Sequence, residues 1–233
     1  MKEINIALVP ARSGSKRIKN KNIKYFFSKP MISRTLENIK KIKYFNKIAV
    51  SSDSNKILNI AKKSSVDFLI KRKKNLSNDK SPIDDVIRHA VNFLEKKKNY
   101  KIKTVACFFP CNPFLQKKDF LKALKILKQN PNHFIMTINK FKHPIERSYV
   151  LKKNKFIFFS NLKNQNRMTQ TFETKYHDAG QFYLATPETW FQKNKKKIGI
   201  IIPIWRSVDI DDEEDWITAK YLFNSINSWK KKY

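Results

Sequence analysis

The sequence predicts an α/β fold built on a mostly parallel, doubly wound sheet. In the first 140 residues, short apolar runs typical of buried strands alternate with segments whose apolar residues recur at the helical period. The runs that predict strands are residues 4–10, 48–52, 66–70, 104–110 and 134–139. This alternation favours parallel pairing, because parallel neighbours need a long crossover connection and a helix usually supplies it.

The predicted helices share a stripe of apolar residues on one face. These stripes are Ile32, Leu36 and Ile39; Ile83, Val86, Ile87, Ala90, Val91 and Leu94; Phe120, Leu124 and Leu127; and Trp216, Ala219, Phe223 and Ile226. Ser81 and Pro82 mark the beginning of the second helix, since Pro is common at the first helical position. The last helix is predicted to begin at about Asp212, where four acidic residues suit a first turn.

The pattern changes after about residue 140. Residues 141–175 contain two short strand-like pieces, 149–151 and 156–160, joined by polar connections, so we expect an inserted arm here. Strand character returns at 180–186 and 199–204. Because we find no internal repeat and no disordered linker, we expect a single domain spanning residues 1–233.

The charge of the chain is strongly positive. Its 233 residues carry a formal net charge of +31, and 41% of them are hydrophobic, enough for a packed core. The lysines are spread over nearly every segment, whereas a protein that reads a nucleic-acid groove concentrates basic residues on one element. We therefore expect no specific nucleic-acid partner, and a basic nucleic-acid-binding protein is only a distant alternative.

The sequence also favours a cytoplasmic protein without a membrane partner. No stretch approaches the roughly 18 consecutive apolar residues of a membrane helix, and the first residues lack the features of a signal peptide. Cys107 and Cys111 are too few for a disulfide framework, and their spacing matches no metal motif.

Ligands of doubly wound sheets bind beyond the carboxyl ends of the strands. We therefore expect the functional residues just after Pro10, Ile70, Pro110 and Ile210. The first of these segments, residues 10–22, is a basic loop with a single glycine, Gly14, at which we expect a positive φ that exposes successive N–H groups. Cations and backbone donors together suit a triphosphate. The loop is neither a Walker loop nor the dinucleotide fingerprint.

Two acidic residues, Asp209 and Asp211, follow the last predicted strand. On extended chain, Asp209 and Asp211 would point to the same side, where their mutual repulsion is costly unless a cation neutralises it. Mg²⁺ prefers such oxygen ligands, commonly one or two carboxylates together with substrate phosphates. We therefore predict a metal site at Asp209 and Asp211.

A polar string occupies residues 176–183, Tyr-His-Asp-Ala-Gly-Gln-Phe-Tyr. A lone histidine before a strand is more often structural than catalytic. However, clustered donors and acceptors at one strand entrance suit a polyhydroxylated acid. His177 is accordingly only a weak candidate for a general base.

The order of these motifs resembles the CMP-sialic acid synthetase family of sugar nucleotidyltransferases. The resemblance begins with Ala-Arg-Ser-Gly-Ser-Lys-Arg at 11–17, Lys-Asn at 21–22 and Lys-Pro-Met-Ile at 29–32. It continues with Val-Ser-Ser-Asp at 50–53, Arg72, Leu76 and Asp79, Pro-Cys-Asn-Pro at 110–113, and Ser-Val-Asp-Ile-Asp at 207–211. It covers essentially the whole chain, and several ordered motifs are far more specific than one.

The resemblance implies a Rossmann-like nucleotidyltransferase fold in which the arm at about 141–175 makes a homodimer. It implies transfer of CMP from CTP to the anomeric hydroxyl of a nine-carbon acidic sugar, for surface glycan biosynthesis, with Mg²⁺ as cofactor and Mn²⁺ as a possible substitute. The residues it places at the nucleotide are Arg12, Ser13, Gly14, Ser15, Lys16, Lys21, Asn22, Arg72 and Asp79. Catalytic roles fall to Arg12, Lys16 and Asp211, and Asp209 and Asp211 match the metal ligands.

Residues 166–170, Asn-Arg-Met-Thr-Gln, and the string from 176 resemble the pseudaminic acid branch of this family. The residues implied at the sugar are Phe109, Asn112, Tyr176, His177, Asp178 and Gln181. Sialic acid synthetases carry Gln where this chain has Phe109, which disfavours neuraminic acid. A cytidylyltransferase for N-acetylneuraminic, legionaminic or an eight-carbon sugar acid is the alternative.

Overall fold

The chain forms eleven strands and six helices within the described residues. The computed structural model describes residues 1–78, 81–153 and 155–232, with the backbone alone at 229–232. The strands are β1 (Lys2–Pro10), β2 (Tyr25–Phe26), β3 (Lys29–Pro30), β4 (Lys47–Ser52), β5 (Phe68–Lys71), β6 (Tyr100–Phe108), β7 (Phe134–Lys140), β8 (Tyr149–Lys152), β9 (Phe156–Phe159), β10 (Tyr176–Ala185) and β11 (Lys197–Ile201). The helices are α1 (Met31–Lys40), α2 (Asn55–Lys63), α3 (Ile83–Lys98), α4 (Lys117–Gln129), α5 (Pro187–Trp190) and α6 (Glu213–Lys232).

Seven strands form one sheet in the order β11-β7-β10-β6-β1-β4-β5. The pairs β1 with β4, β1 with β6, β4 with β5, and β7 with β11 are parallel, and β10 runs antiparallel to both of its neighbours. The predicted mostly parallel sheet is therefore confirmed. The chain runs from β1 outward to β4 and β5 and then crosses back to β6 on the other side of β1, so the switch point of the sheet lies between β1 and β6.

Helices cover both faces of this sheet. Apolar residues of α1, α2 and α4 pack on one face, around Leu36, Leu58 and Phe120. On the other face, Ile87 of α3 and Trp190 of α5 pack together with residues of β1, β4 and β6. A third cluster joins α6 to the segment after β1, because Trp216 lies edge-on to Phe26 with ring centroids 5.5 Å apart.

Two features of the chain differ from the sequence prediction. Helix α2 was not predicted, although Ile57, Leu58 and Ala61 give it a buried stripe and the Ser54 hydroxyl caps its beginning. With nine residues, the helix is too short for its apolar residues to show the helical period clearly. Strand β11 ends at Ile201 instead of 204, and a 3₁₀ helix at Ile204–Arg206 follows it.

The predicted arm departs from the sheet and returns to it. The Phe141 amide donates to the Lys175 carbonyl at 3.0 Å, which closes the base of the excursion. Within it, β8 and β9 form an antiparallel hairpin, and six of its apolar side chains are exposed: Tyr149, Val150, Leu151, Phe156, Ile157 and Phe158. Among the described residues, no helix combines the length and the apolar character needed to cross a bilayer.

A buried ion pair fixes the segment after β11. The two terminal nitrogens of the Arg206 guanidinium, Nη1 and Nη2, donate to the Asp119 carboxylate of α4, and the bond from Nη2 measures 3.1 Å. Both residues are buried, and the Arg206 carbonyl accepts a bond from the Gln181 side chain of β10. The chain that leads to Asp209 and Asp211 is thereby tied to α4 and β10.

We predict that Asp119→Ala lowers the free energy of unfolding by about 3–5 kcal/mol, since it leaves a buried guanidinium without its partner. Urea unfolding followed by circular dichroism measures the change. The double variant Asp119→Leu with Arg206→Met is the matched control and should recover most of the loss, because it removes both charges. A loss below about 1 kcal/mol in the single variant would show that the pair is not the anchor described.

Candidate active site

Two adjacent cavities open at the carboxyl ends of β1 and β6, beside the switch point of the sheet. The larger has a volume of about 650 Å³ and the smaller about 250 Å³. Four residues line both cavities and form the wall between them: Lys21, Asn22, Phe109 and Pro110. Because both spaces share this wall, two ligands could lie side by side there.

The basic loop after β1 is held by the end of β4. The Ser13 amide and hydroxyl donate to the Asp53 carboxylate at 2.9 and 2.5 Å, and the Ala11 amide donates to the Ser51 carbonyl at 2.9 Å. Burial opposes the charge of Asp53, but the bonds from Ser13 outweigh it and lower the pKa of this carboxyl. Ser13 therefore anchors the loop and does not line the larger cavity.

The expectation of a positive φ at Gly14 is wrong. Asn20 is the loop residue in the left-handed region, with φ of 57°, just before the 3₁₀ helix at Lys21–Ile23. An added Cβ at Gly14 would meet only Arg12 Nη1 at 3.8 Å, an ordinary contact distance. Asparagine tolerates this conformation better than most residues, so the turn does not need a glycine.

Cations concentrate around the larger cavity. Arg12, Lys16 and Lys21 line it as predicted, together with Ser15, and Arg17 joins them. The Asn22 amide is buried and donates to the Arg12 carbonyl at 2.8 Å, which fixes the backbone where the loop turns. The arrangement suits a ligand with several negative charges.

Arg72 is a buried cation at the far side of the larger cavity. Its Nε donates to the Ser77 hydroxyl at 3.0 Å, and burial lowers the pKa of its guanidinium while the charge of Asp53 opposes that effect. The sequence alone left Arg72 as one cation in a basic run, but its burial separates it from the exposed lysines of that run. Asp79, predicted beside it, lies outside the described residues.

The two acidic residues occupy neighbouring positions in the two cavities. Asp211 lines the larger cavity and Asp209 the smaller, and their segment belongs to no strand, contrary to the extended strand end that was predicted. The Asp211 carboxylate pairs with Arg17 at 2.5 Å and with Lys21 at 3.2 Å. Lys21 also donates to the Ile210 carbonyl at 2.6 Å.

The pKa of the Asp209 carboxyl is raised above its ordinary value. Partial enclosure raises the pKa of its carboxyl, and the nearby charge of Asp211 raises it further. No group of three or more metal-ligating side chains occurs in the described parts of the chain. A cation held here would therefore rest on two carboxylates and take its other ligands from a substrate or water, the arrangement common for Mg²⁺.

The smaller cavity combines an aromatic wall with polar groups. Phe109 lies on its wall, and its ring meets Tyr183 edge-on with centroids 5.2 Å apart. Asn112, Asp178 and Gln181 also line it, as predicted. The Tyr183 hydroxyl donates to the Asp178 carboxylate, and burial and this carboxylate raise the pKa of the phenol.

Tyr176 and His177 do not reach either cavity. Tyr176 is exposed at the beginning of β10, and the His177 ring lies against Phe141 with centroids 4.8 Å apart, at the base of the arm. Between Asp178 and Tyr183 the pairing of β10 with β7 shifts register, and Gly180 adopts a positive φ of 60° beside Asp209. The string is thereby divided: His177 contacts the base of the arm, whereas Asp178, Gln181 and Tyr183 line the cavity.

The sequence analysis did not predict several residues of the site. Arg17 and Tyr183 line the cavities, and Asp53 holds the loop, but none was among the predicted site residues. Tyr183 could have been found, because it lies two residues after Gln181 on a predicted strand and therefore on the same face. Arg17 had no such signal among so many basic residues.

Comparison with known proteins gives the family of the chain. The model of a protein family described as cytidylyltransferase matches residues 6–228. The chain is 32% identical to a pseudaminic acid cytidylyltransferase of Campylobacter jejuni over 94% of this chain and 96% of the relative. It is 25% identical to an N-acylneuraminate cytidylyltransferase of Escherichia coli over 97% of this chain and 53% of that protein.

A solved structure supports the fold alone. The structure of CMP:2-keto-3-deoxy-manno-octonic acid synthetase complexed with CTP superposes with a TM-score of 0.66 at 12% identity, over 95% of this chain and 98% of that one. The family match and the identity to the Campylobacter relative go further, since they extend over nearly the whole chain. The chain therefore belongs to the cytidylyltransferase family and is a nucleotidyltransferase that uses CTP.

Proposed function

We propose that this protein transfers CMP from CTP to the anomeric hydroxyl of a nine-carbon acidic sugar, with pseudaminic acid favoured, and does so in the cytoplasm. The observation that carries the proposal is the pair of cavities that share one wall, one rich in cations and one polar with an aromatic side. The Campylobacter relative, matched over nearly its whole length, supports the choice of sugar.

The larger cavity would hold CTP. Arg12, Lys16 and Lys21 would face the phosphates, where preorganised positive charge stabilises the transition state more than water can. Arg72 would stand on the nucleotide side, close to Ser77. Ser13 would act indirectly by holding the loop, and Asn22 by fixing the Arg12 backbone.

Asp209 and Asp211 would hold Mg²⁺, for which Mn²⁺ could substitute. Two neighbouring carboxylates that repel each other are suited to a divalent cation. Burial raises the pKa of Asp209 most, and the charge of Asp211 raises it further. Mg²⁺, when bound, would supply positive charge to the phosphate oxygens. In the structure, Arg17 and Lys21 pair with Asp211.

The reaction would be an in-line displacement at the α-phosphorus. A bond forms from the anomeric oxygen to this phosphorus, the bond to the bridging oxygen of the β-phosphate breaks, pyrophosphate leaves, and the hydroxyl proton is released. Such transfer depends on positioning and charge neutralisation more than on covalent catalysis. His177 would have no part in it, because it lies outside both cavities.

The smaller cavity would hold the sugar acid, and Phe109 argues against the neuraminic acids. An aromatic ring cannot replace the hydrogen bonds of an amide side chain, but it can pack against the methyl end of a 9-deoxy sugar. The runner-up remains a cytidylyltransferase for N-acetylneuraminic, legionaminic or an eight-carbon sugar acid. The relative from Escherichia coli keeps the first of these open.

We predict that Asp211→Asn lowers turnover by about a hundredfold or more while the fold is kept, because it removes charge stabilisation at the phosphates. Pyrophosphate release with CTP and pseudaminic acid measures the effect. Glu214→Gln is the matched control, since Glu214 is exposed on α6 and lines neither cavity. Full wild-type activity in excess EDTA would remove the metal assignment.

We predict that pseudaminic acid outcompetes N-acetylneuraminic acid by about ten- to hundredfold at equal, sub-saturating concentrations. The reason is that a polar group left unpaired at Phe109 loses about 1–3 kcal/mol of binding. Mass spectrometry of the two CMP-sugars gives the ratio directly. If CMP-N-acetylneuraminate dominates, the sugar assignment is wrong and the cytidylyltransferase activity stands.

We further propose that the protein is a homodimer through the hairpin of β8 and β9. This hairpin exposes an apolar surface and is too small to bury it alone. We predict that replacing Ile157 and Phe158 with Ser yields a monomer by light scattering at micromolar concentration, whereas Ile217→Ser on α6 leaves the dimer intact. A monomeric wild-type protein under the same conditions would contradict the proposal.

A further inference from the structure

Gln181 has one side-chain atom that the folded chain leaves without a partner. The residue is only 2% exposed, and its Oε1 accepts no hydrogen bond from any described residue. Four other described residues also have a buried side-chain atom in this state, but none of them lines either of the two cavities. An unpaired buried acceptor is costly, and Gln181 lines the smaller cavity, so we infer that a ligand of this cavity pairs with it.

The orientation of this amide is fixed by its surroundings. Its Nε2 donates to the carbonyl of Arg206, which is itself anchored to Asp119 by the buried ion pair. A flipped amide would bring Oε1 against that carbonyl, with two acceptors facing each other. The backbone is fixed as well, because the Gln181 carbonyl accepts from Asn112 Nδ2 at 3.0 Å and from the Phe109 amide at 3.2 Å. Oε1 is thus an acceptor held in place before any ligand arrives.

An aromatic surface borders this acceptor. The bond from the Phe109 amide to the Gln181 carbonyl continues the antiparallel register in which Phe108 opposes Phe182. Side chains directly opposite in such a pair share one face and lie about 5 Å apart at Cβ. Tyr183 extends the same face, and its ring contacts Phe109. The acceptor therefore lies at the edge of an apolar wall.

This combination narrows the chemistry of the group that fits. A free hydroxyl could donate to Oε1 but would leave the aromatic wall without an apolar partner. An acylamino group has an N–H donor with a methyl group a few bonds away, so one substituent can satisfy both features. A charged ammonium would be drawn to the carboxylates of Asp178 and Asp209, which line the same cavity, more strongly than to the neutral amide oxygen.

We propose that Gln181 is the specificity-determining residue for an acylamino substituent of the sugar acid, whose N–H donates to Oε1 and whose acyl methyl packs against the Tyr183 side of the aromatic wall. The inference rests on the proposed function, since it concerns the sugar that the smaller cavity takes. It extends that function by naming the substituent that is recognised and the atom that recognises it.

The experiment compares matched sugar acids and a matched variant. Pseudaminic acid carries two acylamino groups, and two analogues each replace one of them with an acyloxy group, which keeps the shape and the methyl but cannot donate. The kcat/KM of each acid is measured with saturating CTP for the wild type and for Gln181→Met, which has similar volume and no amide acceptor.

For the wild type we expect one analogue to lose about ten- to hundredfold in kcat/KM, and the other to lose much less. In Gln181→Met the preference for the amide over that acyloxy analogue should fall below about threefold, with the KM for CTP little changed. A structural role alone would lower the values for all three acids together and leave their ratios unchanged.

Three outcomes would overturn the inference. If both analogues match pseudaminic acid in the wild type, no N–H is read, and this result does not need the variant to fold. If the preference survives in Gln181→Met, another residue reads the group. If the wild type transfers CMP to none of these acids, the proposed function has failed and the inference falls with it.

Discussion

Parallel pairing of β1 with β6 is the constraint on which the rest of the site depends. The loop after β1 and the turn after β6 leave the sheet at the same edge because the two strands run in one direction, and the helices that follow diverge. The basic loop and Phe109 consequently share a wall, although nearly a hundred positions separate them in the chain. Antiparallel pairing would have placed them at opposite edges.

The last segment reaches this edge by a different means. It is not part of the sheet, so its position depends on side-chain anchors: Arg206 on Asp119, the Arg206 carbonyl on Gln181, and the Ile210 carbonyl on Lys21. The same contacts that hold the acidic pair in place also fix the Gln181 amide. The acidic segment and the polar wall of the smaller cavity are therefore coupled through one buried ion pair.

The Asp211 carboxylate pairs with cations that a bound triphosphate would also attract. Asp211 is neutralised by Arg17 and Lys21, two cations of the larger cavity, and a triphosphate entering that cavity would compete for them. Release of Asp211 would then leave two neighbouring carboxylates for a divalent cation. The pair of Arg17 with Asp211 is exposed and contributes little to the free energy of folding, so breaking it would cost little.

The sequence by itself determined the α/β class, the strands at the centre of the sheet, and twelve of the residues that line the cavities. Those features are local, since apolar periodicity and runs of polar residues after a strand are set by neighbours in the chain. Tertiary structure alone decided that Asn20 and not Gly14 takes the left-handed turn, and that Tyr183 replaces Tyr176 and His177 at the cavity. It also buried Arg72 and left Gln181 Oε1 without a partner among the described residues. The physical reason is that burial, register shifts and ion pairs arise from residues distant in sequence, which no local pattern encodes.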